Sequence, residues 1–112
     1  MQEKRKSQRY KLNMRSYCIV KGDADQKPCN FSIQDISKTG FLFLGQAHLP
    51  AGCVIELFLK ISDKKEIPFT AKIVRCEQMF GAGLYETGAT FIDMTQVQKE
   101  CLNKILAKEV MD

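Results

Sequence analysis

The sequence predicts an all-β domain closed by one C-terminal helix, in the form of a six-stranded antiparallel barrel. Three observations lead there. Apolar and polar residues alternate along most of the chain, the period of half-buried strands. Clusters of Gly, Pro, Asp and Ser interrupt that alternation at short intervals, as hairpin turns do. After Ile92 the apolar spacing changes once, to that of a helix. With 112 residues, 45% hydrophobic and 27% charged, the chain fits one domain around one core.

Each element has its own signal. Leu12, Met14, Cys18 and Val20 keep period two and predict a first strand that ends near Lys21-Gly22-Asp23. A short strand follows around Phe31 and Ile33, then a turn from Asp35 to Gly40. The apolar run Phe41-Leu42-Phe43-Leu44 reads as a strand buried on both sides. Leu49-Pro50-Ala51-Gly52 is the next turn. Ile55, Leu57, Leu59 and Ile61 then alternate with polar residues, Ser62-Asp63-Lys64-Lys65 makes a hairpin loop, and Ile67, Phe69, Ala71 and Ile73 resume the pattern. A last strand runs through Thr87 to Ile92, after Gly81-Ala82-Gly83. Thr95 and Gln98 have the spacing of a reciprocal helix cap, and Val97, Cys101, Leu102, Ile105 and Leu106 share one face of a helix over about 95–110. That helix is expected to cover an opening or flank of the sheet.

Charge is concentrated at one end. Residues 1–15 hold six of the seventeen Lys and Arg residues and a single acid, Glu3, for a net +5, whereas the rest of the chain nets −1. An N-terminal arm, residues 1–11, is therefore set to meet an anion, and residues 12–112 form the barrel and helix. Five cysteines, an odd number spread without C-x-x-C spacing, read as small buried hydrophobes in a reducing compartment, and a lone histidine, His48, leaves no metal or catalytic cluster. No apolar run approaches a membrane span and no leader pattern opens the chain, so a cytoplasmic protein without a membrane partner is expected.

Arg5-Lys6-Ser7-Gln8-Arg9 forms an R-x-x-x-R arm, and Asp35-Ile36-Ser37-Lys38-Thr39-Gly40 forms D-x-S-x-x-G. In this order, in a β-rich chain, the two resemble the nucleotide-binding motifs of the PilZ domain, a family that binds the bacterial second messenger cyclic diguanylate (cyclic di-GMP). The resemblance extends over nearly the whole chain, through the Leu49 to Gly52 turn, the Gly88 strand and the terminal helix. It implies a six-stranded barrel with ligand docked on an outer face, held by Arg5, Arg9, Asp35, Ser37 and Gly40. Lys4, just before the first arginine, resembles the position that helps hold an intercalated ligand pair, and Gly88 the family's glycine on the last strand. One ligand molecule or such a pair is implied, with no other cofactor and no metal.

The residue types suit that ligand. Each guanine offers two acceptors, O6 and N7, on one edge and two donor groups on the other, and the two phosphodiesters are anionic. Arginine pairs in a fork with O6 and N7 or with phosphate oxygens, and can stack on a purine, whereas lysine supplies only a point charge. Asp35 can accept from a guanine amine with the Ser37 hydroxyl beside it. Gly40 allows a positive φ, or close approach of the backbone to the base.

The resemblance implies a non-enzymatic receptor whose arm orders on binding and whose output, through an unidentified partner protein, is control of motility, biofilm or exopolysaccharide. Two other readings are a PilZ-like adaptor that binds only protein and a small basic barrel that binds RNA or single-stranded DNA. The motif arginines argue against the first. The confinement of charge to the arm argues against nucleic acid. Nothing in the sequence has the pattern of a nucleophile with its base or of a phosphate-cradling loop.

Overall fold

The computed structural model describes residues 10–22, 28–62, 64–79, 81 and 83–111. Six strands precede one helix: β1 (Tyr10–Val20), β2 (Cys29–Ile36), β3 (Gly40–Gly45), β4 (Val54–Ser62), β5 (Lys65–Gln78), β6 (Tyr85–Ile92) and α1 (Gln96–Met111). Every pairing is antiparallel. Two meanders, β1–β2–β3 and β4–β5–β6, close into a barrel because β3 pairs with β6 and β1 with β4. The expected all-β barrel with a terminal helix is the fold observed. β1 begins at Tyr10, so the barrel takes up the last two residues assigned to the arm.

Closure buries one face of each strand. Phe31, Phe41, Phe43 and Phe69 are buried, and with half-buried Phe91 they form a connected set of rings, Phe31 to Phe43 at 4.2 Å and Phe41 to Phe91 at 5.3 Å between centroids. Ile33, Ile55, Leu57, Leu59 and Ile73 complete the interior at 0–1% exposure. Burial of each such side chain contributes about 1.5 to 3 kcal/mol. The expectation that β3 is buried on both sides does not hold: Phe41 and Phe43 face the core, but Leu42 and Leu44 are only half-buried. The barrel wall is one sheet thick, so a side chain pointing outward meets no second layer.

The β3–β4 connection carries the expected turn. Gly52 takes φ +92°, a conformation that side chains strain to adopt, while its amide donates to the Ile73 carbonyl at 2.8 Å.

The helix starts on its cap. The Thr95 hydroxyl accepts from the Gln98 amide at 3.1 Å, and the Gln98 side-chain oxygen accepts from the Thr95 amide at 2.8 Å. Gln98 also donates to the Pro68 carbonyl at 2.7 Å, which ties the first turn to β5. Leu102, Ile105 and Leu106 are buried as α1 packs on β1 and β5. Val97 was expected on that face and is instead 64% exposed. Half-buried Gln98 takes the place facing the strand, while Cys101, Leu102, Ile105 and Leu106 pack on the core as expected.

The barrel is not closed evenly. Among the described residues β4 pairs with β1 only over Tyr17–Val20, so the first part of β1 has its sheet pairing with β2 and not with β4. Within the described residues no helix is long and apolar enough to cross a membrane.

Candidate functional site: an outward row set by strand irregularities

Asp35 should by simple alternation face the core. Phe31 and Ile33 are buried on β2, and Asp35 is the next residue of that phase. The register prevents it: Ile33 pairs with Phe43, whereas Asp35 pairs with Leu42, so β2 carries one residue more than β3 at Gln34. The bulge puts Ile36 into the core and turns Asp35 to the outer face, where it is half-buried.

Two more shifts fall at the same level. On β1, Lys11 pairs with Asp35 and Met14 with Ile33, an extra residue relative to β2. On β5, Ile73 pairs with Ala89 and Arg75 with Gly88, which leaves Val74 as the extra residue, 58% exposed. Lys11, Asp35, Leu42, Gly88 and Arg75 are in consequence successive Cα partners across five strands. At about 4.8 Å per strand the row spans about 19 Å.

Arg75 is the site residue that sequence reasoning missed. It follows the buried series Phe69, Ala71, Ile73 and so reads as an inward position until the bulge turns it out. The one available signal was the charge itself in an apolar phase. Its side chain runs beside Gly88, where a Cβ would stand 3.6 Å from its Cγ and 3.7 Å from its Nε. Its Nη1 donates to Glu77 Oε1 at 2.9 Å, in an ion pair whose side chains are 51% and 65% exposed. An exposed pair of this kind holds the guanidinium only weakly.

Asp35 and Ile36, expected in the turn, belong to β2, and the hydrogen-bonded turn itself runs from Ser37 to Gly40. Ser37, 5% exposed, opens it. Its Oγ accepts from the amides of Thr39 and Gly40, each at 3.2 Å, and shares a hydrogen bond with the Thr39 hydroxyl at 3.2 Å. The Ser37 amide donates to the Gly40 carbonyl at 2.8 Å. The turn is fastened to β6 through the Thr39 carbonyl, which accepts from the Phe91 amide at 2.8 Å and the Thr90 hydroxyl at 3.0 Å. Ser37 thus shapes the loop behind Asp35 and is little exposed itself.

For Gly40 one of the two expected reasons, a positive φ, does not hold. A Cβ there would overlap the carbonyl oxygen of Ala89, so glycine is required by the close approach of β3 to β6. Gly88 leaves the row without a side chain between Leu42 and Arg75, and the Arg75 stem runs beside it.

Arg5, Arg9 and Lys4 lie outside the described residues. Tyr10, which follows Arg9 in the chain, pairs with Ile36, one residue from Asp35. On the same outer face Arg15, Ser32 and Leu44 are successive Cα partners. With Asn30, Gln46 and Leu84 they line a groove of about 480 Å³. His48 is exposed, edge-on to Tyr85 at 5.3 Å. Among the described residues no group of His, Cys, Asp and Glu is arranged to hold a metal ion.

On this closed antiparallel barrel with a terminal helix, the D-x-S-x-x-G segment and the outward row lie beside the start of β1, the strand that follows the basic segment in the sequence. The chain belongs to the PilZ domain family, whose model matches residues 3–108. Its fold is similar to the PilZ domain of YcgR from Escherichia coli, solved with c-di-GMP, at TM-score 0.75 and 15% identity over 97% of this chain and 93% of that one. It is also similar to the c-di-GMP complex of MrkH from K. pneumonia, at TM-score 0.73 and 17% identity over 98% of this chain. A third likeness is to the Bacillus subtilis inhibitor of motility MotI/DgrA, at TM-score 0.64 and 12% identity over 96% of this chain. The chain spans 53% of each of the last two. At these identities the likeness is one of fold. No curated protein matches the sequence.

Proposed function

We propose that this protein is a cyclic di-GMP receptor that acts without catalysis. The observation that carries the reading is the outward row Asp35, Leu42, Gly88, Arg75, which adjoins the strand residue where the R-x-x-x-R arm joins the barrel. Family membership and the two similar folds solved with c-di-GMP support the choice of ligand.

In this reading Arg5 and Arg9 fork onto phosphodiester oxygens or guanine O6 and N7, and Lys4 adds charge. Asp35 accepts from the guanine N1–H and N2 amine. Ser37 and Gly40 fix the turn that aims it. Gly88 leaves a purine room to lie against the wall, and Arg75 gives up its exposed pair with Glu77 to stack on that base. The neighbouring Arg15 groove has space for part of a second ligand molecule. The arm gains its order on binding, and the surface so formed is read by a partner protein. Motility, biofilm or exopolysaccharide control in the cytoplasm is the output that family membership supports.

The test is isothermal titration with cyclic di-GMP, with GTP and linear diguanylate as controls. Heat with cyclic di-GMP alone is the expected result, and its molar ratio separates one ligand from a stacked pair. Absence of both heat and thermal shift at high ligand concentration overturns the reading in favour of a protein-only adaptor.

A further inference from the structure

Seven residues along β1 and six along β2 from the Asp35 row, about 20 Å at strand rise, the same two strands bring thiols together. Cys18 and Cys29 are direct Cα partners in the antiparallel ladder. Partners of this kind direct their side chains to the same face with Cα atoms about 4.5 to 5.5 Å apart, inside the range that a disulfide spans. Cys18 is fully buried in the core, and Cys29 is half-buried at its margin. Cys53, just before β4, packs on the same core. None of the three is in a disulfide.

The three influence one another. Burial, then the adjacent Cys29, pushes the Cys18 thiol up to about 12, with Cys53 a smaller contributor. Burial and then Cys29 raise the Cys53 thiol also. Cys29 is common to both, and among the described residues the group does not have the arrangement of a metal site.

We propose that Cys29 and Cys18 form a thiol-oxidation site for hydroperoxides, with Cys29 as the attacking sulfur and Cys18 as its disulfide partner. The Cys29 thiolate attacks the terminal peroxide oxygen. A sulfur–oxygen bond forms, the oxygen–oxygen bond breaks, and Cys29 becomes a sulfenic acid as water or an alcohol leaves. The Cys18 sulfur then attacks the Cys29 sulfur. The disulfide forms, the sulfur–oxygen bond breaks, and the departing hydroxide takes the Cys18 proton to leave as water. Two thiols lose two electrons and one peroxide is reduced. Half-burial gives Cys29 the access to peroxide that Cys18 lacks, and the ladder register selects Cys18 over Cys53 as partner.

The experiment treats the full-length chain with hydrogen peroxide, blocks remaining thiols by alkylation and maps peptides by mass spectrometry. Expected are a mass loss of about 2 Da, a peptide linking Cys18 to Cys29, two fewer free thiols and a rise of a few degrees in Tm, all reversed by dithiothreitol. The link persists in Cys53→Ser and is lost in Cys29→Ser. Linkage of Cys29 to Cys53, a terminal sulfinic acid on Cys29, or five thiols still free after treatment each overturns the assignment. The wild-type map decides it even where a cysteine variant does not fold.

Discussion

At the scale of single residues, the two glycines of the site separate structure from binding. A Cβ at Gly40 meets the Ala89 carbonyl, which belongs to the β3–β6 ladder and has nowhere to move. Gly40→Ala is expected to cost about 3 kcal/mol by overpacking, visible as a lower urea midpoint. At Gly88 the added Cβ makes only ordinary contact with Arg75, at 3.6 and 3.7 Å. Gly88→Ala is expected to change stability by less than about 0.5 kcal/mol while weakening cyclic di-GMP binding by obstructing the wall. Equal loss of stability in both variants would remove the ligand role of Gly88. Asp35→Ala and Arg75→Ala are each expected to weaken binding tenfold to a hundredfold, about 1.4 to 2.8 kcal/mol, with Tm nearly unchanged. Cys18 sets a pH dependence. Its thiol is raised in the folded protein from 9.0 to about 12, mainly by burial, so the contribution of the neutral thiol is fully present below pH 9 and falls as pH rises toward 12. Urea midpoints that decline above pH 9 in the wild type, and decline less in Cys18→Ala, are the expected outcome.

At the scale of elements, the helix and the strands differ in how far the sequence reveals them. The cap pair Thr95 and Gln98 was legible because both bonds are local, three residues apart. Thr95→Ala is accordingly expected to cost about 1 kcal/mol, and Leu102→Ala about 2 to 5 kcal/mol, by denaturant titration. Val97→Lys is expected to cost nothing measurable, since Val97 stands in solvent. Its inward placement from periodicity failed because Gln98 is anchored to Pro68 on β5, a contact between residues thirty apart that no helical period contains. The strands show the same division. Apolar alternation identifies β1, β4 and β5, but it cannot show a bulge, because the extra residue is defined by the partner strand. Asp35 was found from its motif, and its direction was hidden. Arg75 has no motif and depends on Val74 for its outward direction, so it was missed. The irregularities that build the site are those that local pattern reading leaves out.

At the scale of the whole molecule, the uneven closure of the barrel gives ligand binding a mechanical route. Among the described residues β1 pairs with β4 only over Tyr17–Val20, whereas Tyr10 to Arg15 have their sheet pairing with β2, the strand that carries Asp35. Residues joined on one side open at lower free energy than residues in a closed ladder, so amide exchange at Lys11–Arg15 is expected to be faster than at Tyr17–Val20. In the proposed mode of binding, a ligand held by the arm at one end and by Asp35 at the other would draw this part of β1 onto β2. Cyclic di-GMP is therefore expected to slow exchange in Lys11–Arg15 and from Asp35 to Gly40, with little change at Cys18 and Cys29 at the far end of the same two strands. The linked stabilisation is about 2.7 kcal/mol at a ligand concentration one hundred times Kd, or on the order of 10 °C in Tm for a domain of this size. Hydrogen exchange and thermal shift measured on one sample give the decisive comparison: stabilisation with protection confined to the arm end of β1 and the turn fits the mechanism, whereas stabilisation with protection spread evenly over the barrel would mean that the ligand binds without recruiting the arm.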